Sequence, residues 1–396
     1  MAETLAEPPF TLTDGPRRHA RYAELAASGA VHHIALPSGT PAWLITGYDE
    51  ARQALHDPRL VKTPVMPSRG LSSPEIFAAR NHHMLNSNPP DHTRLRRLVA
   101  AAFTRRRIEQ LAPRIQRITD ELLDTMATAA RTDLIDSFAY PLPITVIREL
   151  LGVPAERRTE FHHWSAVLVT SLASPAALAA AATAMVSYLR ELVAAKRAAP
   201  ADDLLSALVA VRDGQDLLSE DELTSMVFLI LVAGHETTVN LIGNGVHALL
   251  THPEQLALLR ARPDRLPDAV EELLRFDGPV QVATFRVTAE PVDIGGVTIP
   301  AGEIVIPGLL AANRDPARTA RPDALDITRA DNQHLAFGHG IHHCLGAPLA
   351  RLEGRIALGT LLARFPRLRL AVPTEQLAWR PGLIMNGLDA LPVILR

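Results

Sequence analysis

The sequence is short of several things that would settle its class at once. It holds one cysteine, Cys344, in 396 residues. One thiol cannot close an intramolecular disulfide, so folding does not depend on an oxidising compartment. A zinc ribbon built from cysteines alone is excluded by the same count. Lysine is nearly missing, with only Lys62 and Lys196 among 40 basic residues. That skew fits a GC-rich genome better than a function. An excess of either charge is missing too: 43 acidic residues leave a net charge of −3, too balanced for a protein that coats nucleic acid. The longest uninterrupted apolar run, Met226 to Gly234, is far short of the roughly 20 residues that span a bilayer. The acidic start, Met-Ala-Glu-Thr-Leu-Ala-Glu-Pro-Pro, lacks the basic and apolar regions of a secretory signal. The reading is a soluble, cytoplasmic protein that binds neither nucleic acid nor membrane. What is present is apolar bulk: 47% hydrophobic against 21% charged, enough to bury a large core and to exclude global disorder.

Helical periodicity dominates the middle of the chain. Apolar residues recur at three- and four-residue spacing over Arg94 to Ala102, Ile108 to Ala127 and Pro175 to Ala195. Pro141 and Pro143 are expected to break the chain before a helix over Ile144 to Leu151. Asp202 to Val211 reads as helical, and Asp213-Gly214 as a turn. Ser219 with Glu222 forms a capping box for a helix that runs to His252, where Pro253 stops it. At 1.5 Å per residue that helix is about 50 Å long, enough to cross a large domain. After Gly278-Pro279 the pattern turns to short β-like runs at Val280 to Val287, Val292 to Ile299 and Glu303 to Pro307. A helix is predicted over Ala347 to Phe365 and a closing strand over Leu391 to Leu395. No repeat, linker or composition break divides the chain, which favours one large domain over two.

Cys344 sits in Phe337-Gly338-His339-Gly340-Ile341-His342-His343-Cys344-Leu345-Gly346, just before the helix at 347. Three glycines there suggest a tight turn whose backbone approaches something flat or bulky. A thiol beside a helix N-terminus is favoured as thiolate by the macrodipole and by free N–H groups. Pro348 suits the first turn of that helix. Such a thiolate would ligate a soft or borderline metal. A buried inert cysteine is the bland alternative. Zinc held by Cys344 with His339, His342 or His343 is another, although adjacent ligands at 342, 343 and 344 fit a tetrahedral ion poorly.

A second irregularity lies in the long helix, where Ala233-Gly234-His235-Glu236-Thr237-Thr238 interrupts an apolar stretch. Polar groups inside an apolar helix need partners or carry function. A His-Glu-x-x-His zinc motif fails, because position 239 is Val. A solvent-facing stripe, with a Thr bonding back to a carbonyl, is the ordinary account.

Taken together, Phe337-Gly-x-Gly-x-His342-x-Cys344-x-Gly346 resembles the haem-binding loop of the cytochrome P450 family. The likeness extends from about Asp49 to the C-terminus through Asn313-Arg314-Asp315-Pro316, Ala350-Arg351-Leu352-Glu353 and Leu391-Pro392-Val393. It is closest to the soluble bacterial branch, whose actinobacterial members hydroxylate macrolides and related natural products. The resemblance implies a mainly α fold with small β-sheets, a single haem-enclosing domain over 1–396, and a loosely ordered segment at 1–20. It implies that Cys344 is the proximal thiolate ligand of haem b iron, with Phe337, Gly338 and Gly346 shaping the loop. Ala233 and Gly234 would leave room for haem and dioxygen, while Glu236 and Thr237 would organise protons and water. His92, Arg96, Arg286 and His342 would pair the haem propionates.

Glu272-Leu-Leu-Arg275 resembles the family's Glu-x-x-Arg motif, normally completed by an arginine from the following loop. The corresponding stretch is Pro322-Asp323-Ala324-Leu325, which has none, leaving either Arg321 or Arg318 as substitute or the triad incomplete. Asn88 stands where an acid is common. The resemblance also implies a monomeric monooxygenase acting on a small but bulky apolar organic substrate with O2. Its electrons would come from a ferredoxin served by an NAD(P)H-dependent ferredoxin reductase. Arg96, Arg97, Arg105, Arg106, Arg107 and Arg351 would offer that ferredoxin a basic surface. The substrate pocket would be lined by Val61 to Leu85, Val167 to Ala177, Leu229 to Thr237, Val280 to Phe285 and Ile384-Met385.

Overall fold

A computed structural model of the chain describes residues 8–63, 81–169, 174–210 and 218–396. Its residues gather into two compact units, one of Met1–Val61, Gln116–Ala139 and Thr237–Arg396, the other of Lys62–Ile115 and Tyr140–Glu236. The polypeptide passes from one to the other four times. No single cut in the sequence separates them.

The first unit begins with order where the sequence predicts looseness. Within residues 8–20 there is already a helix, α1 (Gly15–Ser28), capped by Asp14 Oδ1, which accepts the Arg17 N–H at 2.8 Å. Arg18 on that helix is fully buried and donates to Asn386 Oδ1 at 2.7 Å and to the carbonyls of Leu12 and Arg380. A buried guanidinium with four such bonds fixes its helix firmly, and composition gives no hint of it.

Two strands that the sequence pattern did not reveal follow, β1 (Val31–Ala35) and β2 (Pro41–Ile45), then α2 (Tyr48–His56) and β3 (Leu60–Val61). They belong to a five-stranded sheet of order β1-β2-β8-β5-β3, completed by β5 (Arg286–Thr288) and β8 (Ile304–Pro307). Only β2 and β8 run parallel, with Trp43 opposite Val305. The predicted run Val280 to Val287 shrinks to β5 with isolated bridges at Val280 and Val282. The run from 292 to 299 is a hairpin, β6 (Val292–Ile294) and β7 (Val297–Ile299), turning through Gly295-Gly296 at positive φ. Ile45, Leu55, Val292, Ile294 and Val305 pack into one cluster under the sheet. Each such side chain contributes about 1.5–3 kcal/mol.

The predicted helix Ile108 to Ala127, which begins in the second unit and ends in the first, is interrupted. It is α4 (Arg105–Gln110), capped by Thr104, and α5 (Ala112–Met126), following α3 (Asp91–Ala102). Pro141 opens α6 (Pro141–Leu150) instead of breaking the chain ahead of it, because a first-turn proline lacks only an N–H that has no helical partner. Then come α7 (Arg158–Val169), α8 (Pro175–Ala198) and α9 (Leu204–Ala210). The predicted Asp213-Gly214 turn lies outside the described residues, as does most of Val61 to Leu85.

The long helix is α10 (Glu220–Thr251), 32 residues. Its capping box is reciprocal: Glu222 N–H donates to Ser219 Oγ at 3.1 Å and Ser219 N–H to Glu222 Oε2 at 2.8 Å. Arg94 of α3 also grips Glu222. Burial works against ionisation of that carboxylate, yet Arg94 and Ser219 hold its pKa below the ordinary value. Two helices, over Ala176–Ala198 and Glu220–Thr251, are long and apolar enough to cross a membrane. For the second, 72% of the apolar window is buried inside the protein, as a core helix requires.

The C-terminal part of the first unit adds α11 (Pro253–Ala261), α12 (Leu266–Asp277), the short α13 (Leu309–Ala312) and α14 (Ala347–Arg364). A three-stranded sheet of order β4-β10-β9 joins β4 (Arg131–Asp133), β10 (Pro392–Ile394) and β9 (Arg369–Leu370).

Candidate functional site

In the first unit the cysteine loop closes on itself ahead of α14. The Cys344 N–H donates to Phe337 O at 2.9 Å, and the Gly338 N–H to Leu335 O at 2.8 Å. Gly338 and Gly340 both take φ of +72°, which a side chain would strain. At Gly340 a Cβ would also meet Leu55 O at 2.8 Å, so this glycine is required twice over. The turn leaves Cys344 exposed at the start of α14, and Phe337 and Gly346 part-exposed beside it. Arg351, one turn into α14, lies 4.5 Å over the Phe337 ring. Its guanidinium is held above its ordinary pKa first by Glu271 and, more weakly, by Cys344. A positive charge and a helix N-terminus thus both favour the thiolate. Among the described residues no three His, Cys, Asp or Glu side chains gather as a metal cage, so His339, His342 and His343 do not complete a zinc set with Cys344.

Arg351 was expected on an open basic surface, but it is committed elsewhere. Its Nε and Nη2 both reach Glu271 at 2.7 Å, and His334 meets the same carboxylate at 3.1 Å. Although burial opposes it, these partners push Glu271 down to a pKa of about 2. Arg105 is likewise paired, with Glu109 at 2.7 Å. Arg97, Arg106 and Arg107 are exposed on α3 and α4.

The cations expected at the propionates fall in both units. In the first, Arg286 leaves β5 into the interior, 3% exposed, with one long bond from Nη2 to Leu55 O at 3.3 Å. Its Nη1 has no hydrogen-bond partner, and burial lowers its pKa to about 10. A buried guanidinium with open donor capacity is costly unless an anion completes it. His342 is half-buried in the loop. In the second unit His92 is buried and Arg96 half-buried, one turn apart on α3. Asn88, just before that helix, bonds the Lys62 backbone in both directions: Lys62 N–H to Oδ1 at 2.7 Å and Nδ2 to Lys62 O at 2.6 Å. An acid there could accept but not donate, which explains the departure from the family's habit.

Within α10 the polar interruption resolves into two faces. His235, Glu236 and Thr238 are buried; His235 Nδ1 meets Leu231 O at 3.0 Å, and its ring stands edge-on to Tyr140. Leu229, Val232, Ala233, Gly234 and Thr237 are the open positions of a helix otherwise buried from 223 to 246. Their spacing of four puts 229, 233 and 237 on one stripe. A Cβ at Gly234 would come within 2.8 Å of Ile147 Cδ1 of α6, the end of a side chain that can shift to admit it.

The Glu-x-x-Arg pair is complete, by a route the sequence did not suggest. Arg275 and Glu272 are both fully buried and joined at 2.8 and 2.9 Å. The second arginine is Arg329, whose Nε reaches Glu272 Oε2 at 3.2 Å. Arg321 and Arg318 instead pair Asp326 and Asp331. Arg275 also donates to the carbonyls of Asn313, Pro322 and Ala324, so the stretch without an arginine contributes its backbone. Within the predicted pocket lining Val280 to Phe285, Gln281 and Val282 are fully buried, while the other residues are part-open.

A family profile described as Cytochrome P450 matches residues 175–376. Cytochrome P450 107B1 of Saccharopolyspora erythraea is 54% identical, over 95% of this chain and 94% of its own. Vitamin D(3) 25-hydroxylase of Pseudonocardia autotrophica is 50% identical, over 98% and 96%. The solved structure of the tirandamycin C-bound P450 monooxygenase TamI superposes with a TM-score of 0.89 at 47% identity, covering both chains in full. Helical architecture, small sheets and these likenesses define a haem monooxygenase. The chain belongs to the cytochrome P450 family, among relatives that are natural-product hydroxylases of actinobacteria.

Proposed function

We propose that residues 1–396 work as one haem-enclosing oxygenase that hydroxylates or epoxidises a bulky apolar polyketide-type product. The observation that carries the haem-site reading is the incomplete Arg286, a buried cation whose Nη1 lacks a partner. A haem carboxylate is the anion that would complete it. His342, His92 and Arg96 would share the two propionates with it. Cys344 would ligate the iron, its charge supported by the start of α14 and by Arg351. Phe337, Gly338 and Gly346 would shape the loop that carries Cys344, and Ala233 and Gly234 would leave room for haem and dioxygen.

Haem, held by Cys344, would supply the oxygen-activating chemistry, whose overall balance takes O2, two electrons and two protons and gives oxygenated substrate and water. The chain supplies the proton path. Buried Glu236 and its neighbour Thr237, whose hydroxyl is part-open, would relay protons and orient water. The apolar Leu229 and Ala233 keep the rest of the stripe dry. Exposed Arg97, Arg106 and Arg107 suit an acidic ferredoxin fed by an NAD(P)H-dependent reductase. The enzyme is read as a cytoplasmic monomer.

The polyketide reading rests on the tirandamycin-bound relative. A steroid-like substrate is the second reading, favoured by the vitamin D(3) hydroxylase at 50% identity. Reduced protein exposed to carbon monoxide is expected to show the strongly red-shifted Soret band of thiolate ligation. A haem-loaded, folded protein without that band overturns the assignment, and Cys344→His should abolish it. Thr237→Ala should divert reductant from product; unchanged coupling removes the proton role. Spin-state titration with a macrolactone and with a secosteroid separates the two substrates.

A further inference from the structure

The turn at Gly382 to Met385 is carried by a buried polar assembly, although its own residues are part-open. Gln281, with no exposed surface, spans the turn from below: its Nε2 donates to Gly382 O and to Met385 O, each at 2.8 Å. The Gln281 N–H adds a bond to Ile384 O at 2.7 Å. One residue thus reaches three carbonyls in a four-residue turn. Beyond the turn, Asn386 is held on every side. Its N–H donates to Pro279 O at 2.9 Å, and its Nδ2 donates to Asp277 Oδ1 at 2.7 Å and to Gly278 O at 2.9 Å. Its Oδ1 accepts from Arg18 at 2.7 Å, and its carbonyl accepts from Asn244 Nδ2 at 2.9 Å. Asp277 is gripped in turn by His19 at 3.0 Å.

The turn is thus held from inside by buried side chains as well as by the β-type bridge of Val280 with Met385. Gln281 Oε1 has no hydrogen-bond partner among the described residues, but both donors of its buried Nε2 are used, and they narrow the turn's position because each must meet its carbonyl within hydrogen-bond limits. The carbonyls it fixes belong to the segment carrying Leu383, Ile384 and Met385, and its own flanking residues include part-open Val280 and Ala283 to Phe285.

We propose that Gln281 and Asn386 are positioning residues that set substrate specificity, holding the side chains of Leu383 to Met385 at a fixed depth in the substrate pocket. The inference rests on the reading that this turn lines the pocket. It assigns α1 an indirect part, since Arg18 holds Asn386 from behind. Gln281 and Asn386 touch no substrate; they act through the turn.

The test uses haem-loaded enzyme and two iron-binding probes, imidazole, which is small, and 4-phenylimidazole, whose ring must fit the pocket. Gln281→Met keeps the volume and removes both donors. It is expected to weaken 4-phenylimidazole about fivefold, the size of one net hydrogen bond, while imidazole stays within about twofold. Asn386→Ser is expected to do the same, with the carbon monoxide band of both variants in place. Equal affinities for both probes, or equal losses, would overturn the positioning role. In the unaltered enzyme, 4-phenylimidazole is expected to slow hydrogen exchange at the amides of Gln281 and Asn386, and imidazole is not. Exchange unmoved by either probe also counts against it, whatever becomes of the variants. A missing band in the unaltered protein instead overturns the haem reading beneath.

Discussion

Two glutamates in the first unit are equally buried and have opposite surroundings. Glu272 on α12 has no exposed surface, and neither has Glu353 on α14. Glu272 meets Arg275 twice, Arg329, and the N–H of Asp326 at 2.9 Å. Glu353 has no hydrogen-bond partner for either oxygen, and burial pushes its pKa up to about 8. Burial alone therefore does not decide whether a carboxyl is charged; the donors within reach do. One glutamate is a charged hub that ties α12 to the segment 313–329. The other is a neutral acid at neutral pH.

The largest way to break the contrast is to remove the hub. Glu272→Ala leaves two arginines with their buried charge uncompensated, and it is expected to cost about 3–5 kcal/mol. Chemical denaturation should show it, accompanied by poor haem loading. A loss below about 1 kcal/mol would mean that the arginines find water or other partners. Removing one arm is milder. Arg329→Met should cost about 1.5–3 kcal/mol, the worth of hydrogen bonds to a charged group.

Glu353 offers a test by pH. Unfolded, it ionises near its ordinary 4.5, while the folded form stays protonated to about 8. Between those values the native state binds the extra proton, so stability falls as pH rises, then levels off above 8. Glu353→Gln removes that slope. Relative to the unaltered protein, the variant should gain at most about 1.4 kcal/mol per pH unit across this window. Parallel stability curves from pH 5 to 8 would show that Glu353 is already ionised. The smallest effect is expected at Arg321, which is exposed and pairs Asp326 at 3.3 Å. Its replacement by Ala should change stability by less than about 0.5 kcal/mol.

The contrast also marks what was legible in the sequence. The cysteine loop was readable because its constraints are contiguous: positive-φ glycines, a ring and a thiol within ten residues of a helix start. The α10 capping box was readable for the same reason, since Ser219 and Glu222 are three residues apart. Arg329 was not, because it reaches Glu272 across 57 residues and nothing local distinguishes it from Arg321 or Arg318. β1 and β2 escaped because each is five residues long and the pattern of inward residues is broken, with only Ile34 buried in β1. Their order comes from pairing with each other and with β8, more than 250 residues onward. Arg18 escaped because its partner Asn386 is 368 residues away.

The small sheet of β4, β10 and β9 has a consequence for how the chain is made. Its middle strand is β10, the last of the three in sequence, so β4 and β9 do not pair with each other but each with β10. Asp133, whose Oδ1 receives the Leu391 N–H, waits 258 residues for that partner. At about 5–20 residues per second a ribosome takes tens of seconds to cover the gap. Throughout that time the segment 131–133 lacks the strand that it pairs with in the finished sheet.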